Sequence, residues 1–279
     1  MPKGRPRANN SYRTFSTNSK KKPSTKKKFH ENSIGGDQVE GIHAVRHLLL
    51  AKKRKVLELR LIEGYDESKP LAEIASLAEE AGVPIKKLNR TSLLSSAQSE
   101  APQGVVAKTQ ELGLKDLEEL LSKDQIPSFL VALDGITDPY NLGAILRSAV
   151  SSGITGVILP KHRSANITPS CTKAAAGAIE YLDFCLVSGI PTALATLSKL
   201  NVKIIGLDGE SDKSLFELKI RNLEDIAIVL GSEGKGIGEL AKKRCDQIFS
   251  IPMSSPIESL NVSAAAALSF YEVLRKKDL

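Results

Sequence analysis

FLVALDGITDPYNLGAILRSAVSSGITGVILP, residues 129–160, places a flat apolar run, a turn, a helical stretch and a second flat run in succession. In FLVALDGI and GVILP the apolar side chains hardly alternate with polar ones, which suits strands covered on both faces of a parallel sheet. NLGAILRSAVSSG between them reads as the connecting helix. The alternation continues to the end of the chain. CLVSG (185–189), VKIIGLD (202–208), DIAIVLGS (225–232) and DQIFSIPM (246–253) read as strands. CTKAAAGAIEYL (171–182), PTALATLSKL (191–200) and GIGELAKKR (236–244) read as helices, and a last helix is expected from about Asn261 to Lys276. The fold class is therefore α/β, with a parallel-sheet domain over residues 128–279. Periodicity leaves its strand order open.

Upstream, residues 37–107 read as a smaller α/β module. It has helices near Gly41–Ala51 and Pro70–Glu80, a strand in KVLELRLI (55–62), and extended pieces in PIKKLN (84–89) and QGVVAKT (103–109). Residues 108–127 are charged, helical in tendency and end at Pro127, so they are expected to link the two domains.

With 279 residues, 41% hydrophobic and 25% charged, the chain suits a soluble globular protein. It has no uncharged apolar run of about 18 residues that would span a membrane, and its first thirty residues lack the apolar core of a secretory signal. Cys171, Cys185 and Cys245 are unpaired in spacing, which fits a reducing compartment. Four scattered histidines give no reason to expect a metal site. The net charge of +7 is unevenly distributed: residues 1–30 hold ten Lys or Arg and no acid, and the remainder holds 29 basic against 32 acidic residues. Residues 1–36 are expected to be a disordered basic arm. Its blocks Lys20, Lys21, Lys22 and Lys26, Lys27, Lys28 suit the phosphates of a nucleic acid. A solubilising tail or an organelle-targeting segment fits the same composition.

In open α/β sheets ligands gather beyond the carboxyl ends of the strands, and three polar stations fall there. After LVALDG, Asp138 and Pro139 form a turn, Asn141 could cap the next helix, Gly143 allows a close approach, and Arg147 follows six residues on. A helix start with a surface arginine explains these residues equally well. LGSEGKGIG (230–238) sets Glu233 and Lys235 among four glycines. It matches neither the dinucleotide fingerprint nor the P-loop, and a flexible loop remains an alternative. IPMSSPIESLNVSAAAA (251–267) has an irregular prolyl path, with Ser259 or Asn261 as helix cap. A prolyl turn before an alanine-rich core helix would look the same.

Together the three stations resemble the motifs of the SpoU branch of RNA 2′-O-ribose methyltransferases, and are most similar to the bacterial 23S ribosomal RNA guanosine enzymes. LDGITDPYNLGAILRSA, LGSEGKGI and IPMSSPIESLNVSAA carry the likeness, while VEGIHAVRHLL and QGVVA resemble the limits of that family's RNA substrate-binding domain. The resemblance implies a trefoil-knotted catalytic domain, S-adenosylmethionine as cofactor, a homodimer formed through the knotted domain, 23S-type rRNA as partner and a cytoplasmic location. Transfer RNA is the substrate alternative, and a noncatalytic RNA-binding role in ribosome assembly the alternative of another class. By motif matching, Leu207, Gly231, Ile251 and Leu260 frame the cofactor, and Arg147 stands beside the target hydroxyl and its phosphate. Asn141, Glu233, Ser259 and Asn261 complete the catalytic set. A guanidinium is normally charged, so a role in holding phosphate and stabilising charge on oxygen suits Arg147 better than that of a base. Ser255 departs from the glycine usual in the third motif.

Overall fold

The computed structural model describes residues 33–121, 127–221, 224–254 and 259–277. The six arm lysines singled out above lie outside the described residues, as do Ser255 and Pro256.

The smaller domain holds a four-stranded sheet, described by β1 (Gln38–Glu40), β2 (Val56–Ile62), β3 (Ile85–Leu88) and β4 (Val105–Thr109), in the order β1-β4-β2-β3. Helices α1 (Ile42–Ala51) and α2 (Lys69–Glu80) cover one face. Val39, Leu59, Leu61, Val105 and Ala107 point at them from alternate positions, joined by Val45, Leu48 and Ile74 from the helices. A short helix α3 (Arg90–Ser96) inserts Leu93, 2% exposed, beside the sheet.

The larger domain is built on β5 (Phe129–Asp134), β6 (Gly156–Pro160), β7 (Asp183–Val187), β8 (Lys203–Leu207), β9 (Ile226–Gly231) and β10 (Gln247–Phe249). These pair in the order β10-β8-β9-β5-β6-β7, and every pairing is parallel. Alternate residues of one strand enter two different cores. Val131, Leu133, Val157, Ile228 and Leu230 meet α4 (Pro139–Ser151) and α8 (Val262–Lys277) on one face. Leu130, Ala132, Ile158, Ala227 and Val229 meet α6 (Ile190–Lys199) on the other. Both faces are covered, and for that reason the strands look uniformly apolar in sequence. From β5 the chain winds outward through β6 and β7, then crosses back to lay β8, β9 and β10 on the opposite side. The reversal lies between β5 and β9, where an open α/β sheet forms a crevice for a ligand.

Several local expectations are corrected. Helix α4 begins at Pro139, and Asp138, not Asn141, is its cap: the Asp138 carboxylate accepts the Asn141 backbone N–H at 2.8 Å. A proline at the first position needs no N–H partner and already has helical φ, which moves the start forward by three residues. GIGELAKKR yields only the one-turn α7 (Glu239–Lys242). CTKAAAGAIEYL breaks after α5 (Pro169–Ala174) at Ala176 and Gly177, whose φ values are positive, and ends in a 3-10 turn over Ala178–Tyr181. Helix does not form along 108–121 except as a 3-10 turn at Leu117–Leu120. Leu114 instead bridges to Phe184 on the edge strand β7, and Leu117 and Leu120 pack into the α6-side core.

The two domains share buried contacts. Ile34 is 3% exposed within the larger core, next to Gly35, which bridges in parallel to Ile167. Arg54 forms a two-pronged pair with Glu180, at 2.9 and 2.6 Å, and also donates to the carbonyls of Gly36 and Gln110.

Candidate functional site: a crevice at the carboxyl ends of the strands

At the C-terminal end of β5 the cap of α4 leaves the side chain of Asn141 free to turn away from the helix. Its Nδ2 donates to Glu233 Oε2 at 3.4 Å, and its Oδ1 accepts from Asn261 Nδ2 at 3.0 Å. Asn261 is in turn held by its own helix, where its Oδ1 accepts the Ser263 backbone N–H at 2.8 Å and the Ser263 hydroxyl at 2.6 Å. Asn261 therefore caps α8 and ties the loop before α8 to the start of α4. The three polar stations become one hydrogen-bonded chain, Glu233–Asn141–Asn261.

A cavity of about 550 Å³ opens beside this chain. Leu207, Leu230, Gly231, Ile251, Leu260 and Val262 supply its apolar wall, and Glu233, Ser259 and Lys235 supply polar groups. All four residues expected at a cofactor thus line one space, together with Glu233 and Ser259. Arg147 does not line it: the side chain is exposed on α4, two turns beyond the helix start. Among the described residues its guanidinium has no hydrogen-bond or ion-pair partner.

The glycine-rich loop has a defined shape. Ser232 and Gly236 exchange backbone hydrogen bonds at 3.1 and 2.9 Å, closing a tight turn in which Gly234 and Gly236 have φ of +81° and +64°. A Cβ on Gly231 would fall 1.9 Å from the Gly236 carbonyl carbon, so no other residue fits. Gly143 is just as constrained, because a Cβ there would meet the Cys171 carbonyl oxygen at 2.5 Å. It lets α4 pack closely on α5.

The residue-level reading missed Asp208, Lys242 and Asp134. Lys242 on α7 forms an ion pair with Asp208 at 2.6 Å on the cavity wall, and this contact, reinforced by Glu239 and Glu210, holds the ammonium pKa above its ordinary value. Asp134 at the end of β5 accepts the Gly238 N–H at 3.0 Å and fixes the far end of the glycine loop. An aspartate ending an apolar strand was visible in the sequence, but which of several lysines folds back to meet Asp208 was not.

Residues 128–271, just over half of the chain, match the model of the SpoU rRNA methylase family. The chain belongs to that family. Residues 38–114 match a second model, RNA 2′-O ribose methyltransferase substrate binding, so the smaller domain of this SpoU methylase is the family's substrate-binding domain. The chain is similar to 23S rRNA (guanosine-2′-O-)-methyltransferase RlmB of Shewanella oneidensis, with 37% identity over 244 residues covering 86% of this chain and 98% of that protein. It is similar to the proteins of the same name from Coxiella burnetii (39% over 243 residues, 86% and 96%) and Escherichia coli (35% over 244 residues, 86% and 99%). Among solved structures, the SpoU methyltransferase AviRb of Streptomyces viridochromogenes in complex with AdoMet has a TM-score of 0.71 at 23% identity, over 86% of this chain and 90% of that one. At that identity the likeness establishes the fold.

The SpoU crevice suits an adenosyl sulfonium. Apolar side chains from β8, β9 and the segment after β10 offer a flat-ring pocket, and the narrow turn at Gly231–Gly236 brings backbone amides and carbonyls to its surface. Among the described residues no group of His, Cys, Asp and Glu could hold a metal ion.

Proposed function

We propose that this SpoU methylase transfers a methyl group from S-adenosylmethionine to the ribose 2′-hydroxyl of a guanosine in 23S-type ribosomal RNA. The observation that carries the reading is the Glu233–Asn141–Asn261 chain, which gathers three distant loops at the rim of a 550 Å³ crevice. RlmB proteins alike along nearly their whole length support the choice of guanosine and of 23S rRNA.

The bound cofactor supplies an electrophilic sulfonium methyl group. Leu207, Gly231, Ile251 and Leu260 hold it, through apolar contact and through the backbone of the glycine turn. Glu233 and Ser259 bring polar atoms to the same space, where they orient sugar hydroxyls. Asn141 fixes the spacing between Glu233 and Asn261, and so the shape of the mouth. Arg147, exposed and without a partner among the described residues, is free to clamp an RNA phosphate and stabilise negative charge developing on the 2′-oxygen. Binding both reactants in one orientation supplies much of the remaining acceleration.

The same reading includes a homodimer through the larger domain. Tyr140 on α4 and Leu268 and Tyr271 on α8 are 66%, 46% and 49% exposed, and α4 packs on α8. A trefoil knot fits the path of the chain: Ser214 bridges in parallel to Ser250, and beyond β10 the chain returns inward to set α8 against α4 and β9. The basic arm is read as an RNA contact, and the location as cytoplasmic, where ribosomal RNA is found. No helix among the described residues is long and apolar enough to cross a membrane.

The test is incubation of the protein with S-adenosylmethionine and total RNA from a strain lacking it, followed by mapping of ribose methylation. One new 2′-O-methylguanosine in large-subunit rRNA is expected. Methylation confined to transfer RNA would move the substrate, and cofactor binding without methyl transfer to any RNA would overturn the reading.

A further inference from the structure

Among the described residues two lysines line the crevice, Lys235 on the glycine turn and Lys242 on α7. Lys242 is already engaged. Its ammonium lies 2.6 Å from Asp208, 3.6 Å from Glu239 and 3.8 Å from Glu210, so its charge is compensated within the protein. Lys235 differs. It is exposed, and among the described residues its ammonium has neither a hydrogen bond nor an ion pair. The nearest acid along the chain, Glu233, accepts from the Asn141 side chain on the opposite side of the mouth. Lys235 is thus the one cation on the described crevice wall without a counter-charge, an arrangement that attracts an anion.

The lysine is carried on a held support. Ser232 and Gly236 exchange backbone hydrogen bonds across the turn, and Lys235 lies between Gly234 and Gly236, whose positive φ values form its tip. Beyond the tip, the Gly238 N–H donates to Asp134. A side chain leaving a turn pinned on both sides sweeps a limited arc, which favours a defined contact over a wandering one. The crevice is also polarised. Leu230 and Val262, 2% and 8% exposed, form its apolar depth, Asp208 and Glu210 border it beyond β8, and Lys235 stands on the turn after β9.

We infer that Lys235 recognises the α-carboxylate of the cofactor's methionine arm, and so sets where the zwitterionic end of S-adenosylmethionine lies at the mouth of the crevice. This rests on the methyltransferase reading above. The adenine ring suits the apolar depth, whereas the α-ammonium and α-carboxylate must stay hydrated or find partners. Of these two, the carboxylate matches Lys235, and the ammonium matches the acidic border at Glu210, whose side chain is 91% exposed. An RNA phosphate is the other anion in the reaction. Asp208, Glu210 and Glu233 border the same space, and their field opposes a polyanion more than a carboxylate that arrives with its own ammonium.

The experiment compares the full-length protein with Lys235→Met, which keeps the length of the side chain and removes its charge, and with Lys235→Arg, which keeps the charge. Each is titrated by calorimetry with S-adenosylmethionine and with its decarboxylated form, alongside affinity for a 23S rRNA transcript and the thermal midpoint. Lys235→Met is expected to bind S-adenosylmethionine about three- to tenfold more weakly, to bind the decarboxylated form as the wild type does, and to keep its midpoint. Lys235→Arg should retain most of the affinity. In turnover, KM for S-adenosylmethionine should rise in Lys235→Met with kcat unchanged, because the carboxylate is held alike in ground state and transition state. An equal loss on both ligands would make Lys235 a residue of turn shape. No loss on either, with or without weaker RNA binding, would place its contact elsewhere. Both results overturn this inference alone. A wild-type protein that binds S-adenosylmethionine but methylates no RNA, or that binds no S-adenosylmethionine, would overturn the reading beneath it.

Discussion

Asn261 donates its side-chain amide to Asn141 at 3.0 Å, joining residues 120 positions apart, while its oxygen caps α8. One side chain therefore terminates a helix and joins two loops of the site. The two roles are separable by substitution. Asn261→Asp keeps an acceptor for the Ser263 N–H but loses the donor to Asn141 and sets a second carboxylate near Glu233. Turnover should fall at least about tenfold, equivalent to ~1.4 kcal/mol, with a thermal midpoint close to wild type. Asn261→Ala, which also removes the cap, should in addition lose about 1 kcal/mol of stability in urea denaturation.

Arg147 is exposed on a well-formed helix, so removing its side chain should leave the fold alone. Arg147→Ala is expected to abolish most methyl transfer while changing stability by no more than about 0.5 kcal/mol and leaving cofactor affinity intact by calorimetry. Normal turnover in this variant would exclude Arg147 from the reaction.

Gly231 has no room for a methyl group against Gly236. Gly231→Ala must push the glycine turn outward, with a cost of about 1–3 kcal/mol or more. A lowered thermal midpoint together with weakened cofactor binding is expected, whereas Gly234→Ala, which meets nothing within 4 Å but has positive φ, should cost less.

Arg54 and Glu180 form a buried pair, with side chains 6% and 2% exposed, between the two domains. Glu180→Ala strands a buried guanidinium and should destabilise by about 3–5 kcal/mol. The double change Arg54→Met/Glu180→Leu should recover most of that loss in urea titrations.

Burial pushes the thiols of Cys171 and Cys245 up to about 12 and that of Cys185 to about 11, from an ordinary value of 9.0. A folded-state pKa above the unfolded one gives a stabilising contribution that is complete below pH 9. It is lost as pH rises from 9 toward 11–12, because the unfolded chain releases those protons first. Stability should therefore decline above pH 9, and less steeply in Cys171→Ala. At pH 8.5 a thiol reagent should label the native protein slowly and the urea-unfolded protein fast.

Much of the architecture was legible because burial leaves a local record. The runs at 129–133 and 226–231 are apolar at every position since each strand has a core on both faces. The helix starts were less legible. At 138–141 two residues could serve as cap, and Pro139 decided for Asp138, which left Asn141 with the role of linking loops. At 112–120 the leucines pair with a sheet edge and fill a core, a destination that helical tendency cannot register.

By itself the sequence determined the alternation of strands and helices, the division into two α/β modules and the kinds of polar residue at three strand ends. Tertiary structure decided that these ends adjoin, that Asn141 stands between Glu233 and Asn261, that Lys242 meets Asp208, and that Ile34 pairs with Ile167. Hydrophobic pattern reports how each residue is buried, which depends on near neighbours along the chain. Strand order and the meeting of loops depend on pairings between segments some hundred residues apart, which leave no periodic trace in the sequence.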